Sequence, residues 1–210
     1  MTDKNIKNLL FDFGGVIIRL DQPEALRRFS RLGWKDAVNQ LDEYTQKGIF
    51  GQLENGDIST EDFRQYLSQQ VGRELSYEEC EWAVLGYAGE VPQRNLDMLD
   101  QLRQEGYKLI LISNTNSFMM GWAMSERFTP CGRPLSDFFD ALYMSYKEKC
   151  MKPSPEIFQH IIDGERIIPE ESLFIDDGMR NVEMAKTMGF NTFCPKNGTD
   201  WTQKLREILK

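Results

Sequence analysis

Four polar features of the 210-residue chain have residue types and spacing suited to chemistry. Asp12 ends a short apolar run and is followed by Gly14-Gly15 and a second apolar run, Val16 to Ile18. Ser113-Asn114 closes another apolar run, Lys152 precedes Pro153, and the pair Asp176-Asp177 closes a further run. Two or three carboxylates brought to one point repel unless a cation lies among them. With only oxygen ligands on offer, Mg²⁺ is the natural ion, because it accepts few carboxylates and keeps several waters. Asp12, Asp176 or Asp177, and the main-chain carbonyl of Gly14 can supply the oxygens. A phosphate beside that ion needs further neutralisation. Lys152 offers a point charge for it, and Ser113 and Asn114 offer hydrogen bonds. A carboxylate next to a charge-neutralised phosphorus can attack it, giving an acyl phosphate that water then hydrolyses. Asp12 is the expected nucleophile. The plainer alternatives are that Asp176-Asp177 only caps the helix that follows, and that Lys152 belongs to a solvated basic run with Lys147 and Lys149.

These residues need a scaffold that gathers them. Short apolar runs bounded by glycine read as buried strands of a parallel sheet. Strands are expected at the Asn8 run and over 107–112, 141–145, 172–175 and 191–194. Helices are expected from Pro92 to Gly106 and over 155–163, 179–188 and 199–209. Such alternation gives right-handed crossovers and an α/β, doubly wound parallel sheet, which binds ligands at the carboxyl ends of its strands. All four polar features lie at or just past strand ends, so the topology predicts one crevice.

From about Pro23 to Ala88 only helical signals occur: helices over 23–32 and 35–47, a polar, glycine-containing loop over 48–58, a helix capped by Ser59, and one opened by the capping box Ser76-Tyr77-Glu78-Glu79. The expected organisation is an α/β core of residues 1–19 and 91–210 with a small α-helical cap, 20–90, inserted over the strand ends. Gln52, Glu54 and Asn55 in the cap loop either read a leaving group or simply join helices. Trp34, Tyr44, Trp82 and Tyr87 are expected in the cap core. Met119, Met120, Trp122, Met124 and Phe128 suggest a packed helix before the breakers at Pro130, Gly132 and Pro134. Asn181, one turn into its helix, is placed to orient Asp177.

Composition narrows the partners. A formal net charge of −8 with no dense Lys/Arg cluster argues against nucleic acid, though not against a small anionic metabolite, since a few local cations outweigh a negative surface. No apolar run approaches the ~20 residues that span a bilayer. Met1 to Asn8 is polar and lacks a signal-peptide core, so a cytoplasmic monomer or homodimer is expected. Cys80, Cys131, Cys150 and Cys194 show no CxxC or metal spacing and read as reduced thiols. The single histidine, His160, in a helical pattern behind Pro155, makes Ser-His-Asp and histidine-metal chemistry poor candidates.

Asp12-Phe13-Gly14-Gly15-Val16, the Ser113-Asn114 strand end, Lys152-Pro153-Ser154-Pro155-Glu156-Ile157-Phe158 and Ile175-Asp176-Asp177-Gly178 resemble the four ordered motifs of the haloacid dehalogenase-like hydrolases. The resemblance covers essentially the whole chain, and the insertion after the first motif agrees with it. Ser113-Asn114-Thr115-Asn116 and Lys152-Pro153 look most like bacterial sugar-phosphate phosphatases of the glucose-1-phosphatase type. The resemblance implies Mg²⁺-dependent hydrolysis of a small phosphomonoester. One departure stands out. Most phosphatases of this family carry a second aspartate two residues after the nucleophile as general acid and base, and here that residue is Gly14. Losing a general acid forfeits a factor of roughly 10²–10⁴. Three readings follow: a substrate with a good leaving group, which the glycine-bearing glucose-1-phosphatase type favours; a proton supplied by a cap residue or water; or a non-catalytic phosphometabolite-binding protein. A 2-haloacid dehalogenase is less consistent, because those relatives need no metal and lack the acid pair.

Overall fold

In the computed structural model, which describes residues 5–41 and 48–210, the strand β1 (Asn8–Phe11) forms the middle of a five-stranded parallel sheet. It is followed by the helices α1 (Gln22–Leu32), α2 (Ala37–Gln40), α3 (Gly48–Asn55), α4 (Thr60–Val71), α5 (Tyr77–Val84) and α6 (Gln93–Gln104). Then come β2 (Lys108–Ser113), α7 (Ser117–Ala123), β3 (Ala141–Met144), α8 (Ser145–Glu148), α9 (Pro155–Glu165), β4 (Ser172–Ile175), α10 (Met179–Thr187), β5 (Asn191–Phe193) and α11 (Thr202–Ile208). The latter half of the helix expected over 35–47, with Tyr44, lies outside the described residues.

The strand order is β3-β2-β1-β4-β5, so the winding reverses between β1 and β4. Such a reversal opens a crevice at the carboxyl edge. The register pairs Phe11 with Leu111 on one side and Ile175 on the other. Asp12 and Asp176, the next residues along, therefore leave the sheet side by side. Successive residues of β1 face opposite layers: Leu9 and Phe11 join one buried cluster, and Leu10 joins another with Ile110, Phe158 and Phe174. The run Val16–Ile18 is buried but is not a strand. Asn95 Nδ2 donates to the carbonyls of Val16 and Ile17, both at 3.0 Å, and Trp201 Nε1 donates to that of Val16 at 2.8 Å.

Helices α1 to α5 form the cap around Phe29, Trp34, Phe50 and Phe63, with ring centroids 5.4 Å (Phe29–Trp34), 5.5 Å (Trp34–Phe50) and 5.1 Å (Phe50–Phe63) apart. Local signals set its helix ends. Asp21 accepts the Glu24 N–H at 3.1 Å, and Ser59/Asp62 and Ser76/Glu79 form full capping boxes. The cap cluster runs on into the sheet layer through Phe118, whose ring lies 5.9 Å from Phe63 and 4.9 Å from Tyr77. The two connections to the core run antiparallel. Arg19 N–H donates to the Glu90 carbonyl at 2.8 Å, and Gly89 N–H donates to the Arg19 carbonyl at 2.9 Å.

Three local expectations change. The loop expected over 48–58 contains α3, because Phe50 and Leu53 are buried in the cap cluster and that burial overrides the weak local signal. Trp82 is 37% exposed, with the Arg28 guanidinium 5.3 Å above its ring, whereas Trp34 and Tyr87 are buried as expected. Helix α7 ends at Ala123, where the Ser125 hydroxyl donates to the Trp122 carbonyl at 2.8 Å. Trp122 and Phe128 still meet, at 5.4 Å, across a turn rather than along one helix.

Candidate active site

The sheet ladder continues past the strand ends and fixes the acids. Asp12 N–H donates to the Ile175 carbonyl at 2.9 Å, and Asp176 N–H donates to that of Phe193 at 3.2 Å. One oxygen from each of Asp12, Asp176 and Asp177 lies within 4.8 Å of the others. Lys152 reaches this cluster from the loop before α9. Its Nζ is 2.8 Å from Asp12 Oδ1 and 2.7 Å from Asp176 Oδ2, and donates to the Ile112 carbonyl at 2.9 Å. Its side chain is 1% exposed. Burial alone favours a neutral amine, but the charges of Asp12 and Asp176 outweigh it and hold Lys152 protonated.

One ammonium does not balance three carboxylates. Burial raises the Asp12 carboxyl above its usual range, Lys152 pulls it down, and Asp176 pushes it further up. Burial, then the charges of Asp12 and Asp176, pushes Asp177 up to about 8. Asp177 Oδ2 is buried with no hydrogen-bond partner among the described residues. It also comes so close to Gly15 that a Cβ there would lie 2.1 Å from it, at a φ of +76° that L side chains avoid. An orphaned carboxylate oxygen within an all-oxygen cluster fits a hard divalent cation such as Mg²⁺.

Asn181 Nδ2 lies 3.1 Å from each oxygen of Asp176, and Gly178 N–H donates to Asp176 Oδ1 at 2.7 Å. Asn181 therefore orients Asp176, not Asp177. A helix Cβ points back towards the N-terminus, and Asp176 is the acid that the first turn of α10 wraps.

An inner cavity of about 100 Å³ has Asp12, Gly14, Ser113, Asn114, Lys152 and Asp177 in its walls. A wider one of about 510 Å³, lined in part by Met179 and Arg180, adjoins it along Glu54, Lys152 and Asp177. Ser113 is buried, its hydroxyl 3.4 Å from the Asn114 carbonyl. The Asn114 amide clasps the main chain of Lys152: Nδ2 donates to the carbonyl and Oδ1 accepts the N–H, both at 2.8 Å. This positions the lysine and leaves Asn114 one amide hydrogen for a ligand. His160 pairs with Glu148 at 3.0 Å, outside both cavities. The four cysteines are free thiols.

Of Gln52, Glu54 and Asn55, Glu54 alone lines the cavities. Gln52 is exposed, and Asn55 donates to Asp57 at 2.8 Å. Burial and the neighbouring Asp12 charge push the Glu54 carboxyl up to about 8, against the pull of Lys152. Two contributors lay outside the motifs. Leu20 places both Cδ atoms 3.0 Å from where a Gly14 Cβ would be, and no sequence signal marked it. Ser145, at the end of β3, accepts the Thr115 N–H at 3.0 Å. The strand-end rule that found Asp12 would have found it.

Residues 6–189 match the family model for haloacid dehalogenase-like hydrolases. The chain belongs to that family. It is 48% identical over 204 residues to a protein of Bacteroides thetaiotaomicron named D-ribitol-5-phosphate phosphatase, covering 97% of this chain and 98% of that one. It superposes on a structure described as a predicted HAD-like family hydrolase from Porphyromonas gingivalis, with a TM-score of 0.93, 43% identity and 98% of each chain covered. It also superposes on a variant HAD family enzyme of B. thetaiotaomicron in complex with magnesium and inorganic phosphate, with a TM-score of 0.90, 34% identity, and 96% of this chain and 99% of that one covered. The resemblance read from four motifs thus holds, as does the finer likeness to bacterial sugar-phosphate phosphatases. Among the described residues no helix is long and apolar enough to cross a membrane.

Proposed function

We propose that this haloacid dehalogenase-like hydrolase is a Mg²⁺-dependent phosphatase acting on a small sugar or alditol phosphate through a phosphorylated Asp12. The observation that carries the reading is the meeting of three carboxylates with one buried lysine at the crevice, with Asp177 Oδ2 unpartnered. Asp12, Asp176, Asp177 and the carbonyl of Gly14 would hold Mg²⁺, which when bound supplies neutralisation of phosphoryl charge. Asp12 attacks phosphorus. Lys152 balances the remaining charge, favours the ionised form of Asp12 against burial and aims it, while Ser113 and Asn114 hydrogen-bond phosphoryl oxygens. The alditol assignment leans on the relative named for D-ribitol 5-phosphate. Residues 20–90 are proposed as the cap that excludes bulk water and selects the leaving group. A net charge of −8 disfavours nucleic acid as a partner, whereas Lys152 supplies in the crevice the local cation that a small phosphorylated metabolite needs; the protein is proposed to work as a cytoplasmic monomer or homodimer.

The test is phosphate release from D-ribitol 5-phosphate with Mg²⁺ and with a chelator. Metal-dependent release that Asp12→Asn abolishes is expected. Tight binding without release would mark a phosphometabolite-binding protein instead, and chelator-insensitive halide release from a 2-haloacid would mark a dehalogenase.

A further inference from the structure

Gly14 leaves the reaction without the acid that most family members carry at that position, and a Cβ there would press on Leu20. A residue that could supply the proton for the leaving oxygen must lie in the wall of the inner cavity. The ionisable residues in the inner cavity wall are Asp12, Glu54, Tyr87, Lys152 and Asp177. Asp12 and Asp177 belong to the acidic cluster, and Lys152 is ion-paired with Asp12 and Asp176. Tyr87 is a phenol, as a class a far weaker acid than a carboxylic acid. Glu54 comes from the cap, facing the sheet edge that carries Asp12. In-line attack by Asp12 puts the leaving oxygen on the side of phosphorus away from Asp12, and Glu54 lines the same cavity as Asp12 while belonging to the cap. Glu54 also borders the wider cavity, where the alcohol portion of a substrate would lie.

Its main chain is tied to the core. Ser145 Oγ is 2.5 Å from the Glu54 carbonyl and accepts the N–H of Thr115, in the loop that follows Ser113-Asn114. Lys149 Nζ donates to the Gly56 carbonyl. The end of α3 is thus fastened to the segment that also shapes the phosphate site, which fixes a cap residue relative to Asp12.

We infer that Glu54 is the general acid and base of this enzyme, supplied by the cap in place of an acid at position 14. The inference rests on the phosphatase reading above. In the first step an Asp12 carboxylate oxygen bonds to phosphorus, the bond from phosphorus to the alcohol oxygen breaks, and Glu54 gives that oxygen its proton. In the second, Glu54 takes a proton from water as the water oxygen bonds to phosphorus. The Asp12–phosphorus bond breaks, releasing inorganic phosphate and restoring both carboxyl groups.

The experiment compares the wild type, Glu54→Gln and Asp12→Asn with Mg²⁺ on two substrates in single-turnover and burst assays. D-Ribitol 5-phosphate releases an alkoxide that needs a proton. p-Nitrophenyl phosphate releases a phenolate that does not. Glu54→Gln is expected to slow cleavage of the alditol phosphate about 10²–10⁴-fold. The nitrophenolate burst should survive within about tenfold, with the phosphorylated enzyme then accumulating for want of a base. The surviving burst also shows that the variant is folded. Equal losses on both substrates, or no loss on either, would overturn the role. A burst that persists in Asp12→Asn, or no hydrolysis by the wild type, would instead sink the phosphatase reading and this inference with it.

Discussion

Lys152 Nζ lies 2.8 Å from Asp12 Oδ1, with the lysine side chain 1% exposed and the aspartate 14%. The ammonium that would neutralise a phosphate is already neutralising the carboxylate that would attack it. The pair opposes the protonation that burial favours without returning the Asp12 carboxyl to its usual range, and Asp176 lies on the other side of Nζ.

Replacing Lys152 with Met leaves two buried carboxylates without their cation. Removing one partner of a buried pair is destabilising by about 3–5 kcal/mol. Turnover should fall at least about 100-fold, and the chemical denaturation midpoint should drop. Lys152→Arg should not restore activity, because a planar guanidinium does not fit three acceptors arranged around a point charge. Denaturant titration and phosphate release check both effects.

The acidic cluster makes stability depend on pH in a definite direction. Asp177 rises from 3.8 to about 8 in the folded chain, and Asp12 also rises. Between these limits the metal-free folded state holds more protons than the unfolded one, so stability falls as pH rises from about 4 to about 8. Mg²⁺ competes with those protons. Thermal melting in chelator should therefore show Tm declining from pH 5 to pH 8, and added Mg²⁺ should raise Tm more at pH 8 than at pH 5. A Tm that climbs with pH in chelator would contradict the electrostatics described above.

Gly15→Ala puts a methyl group into the space held by Asp177 Oδ2, at a positive φ. The backbone strain is about 1–3 kcal/mol, and Asp177 must move away. Calorimetric Mg²⁺ binding should weaken together with stability. Gly106→Ala serves as the comparison, because it also has a positive φ but nothing within 4 Å of the added Cβ. It should lose stability without losing metal affinity.

Asn181→Ala removes the amide that bonds both oxygens of Asp176. Partners that orient metal ligands are worth about 10–100-fold in metal affinity. A loss of that size in the Mg²⁺ concentration for half-maximal activity is expected, with activity recovering at high Mg²⁺. Asn181→Asp should be worse than Ala, since it adds a fourth carboxylate to the crowd.

Much of this protein was legible in its chain alone. Short apolar runs and the polar or glycine residues that end them set the strands, and strand ends are where a parallel sheet presents its ligand groups. Asp12, Ser113 and Asp176 could therefore be named from local pattern, and Lys152 by its place before Pro153. The helix caps at Ser59 and Ser76 were equally local.

What the chain alone did not give are pairings that form only when elements pack. Helix α3 exists because Phe50 and Leu53 found a cap core to fill, and that helix carries Glu54 to the cavity. Trp82 is exposed because its face of α5 met solvent. Asn181 bonds Asp176 because the first turn of α10 wraps that acid, and Leu20 lies against Gly14 because its bridge to Ala88, where the cap returns to the core, holds it there. Apolar runs and the turn residues that bound them are local and so can be read from the sequence. The meeting of side chains from distant elements depends on how volumes fill three-dimensional space, and only the tertiary structure decides that.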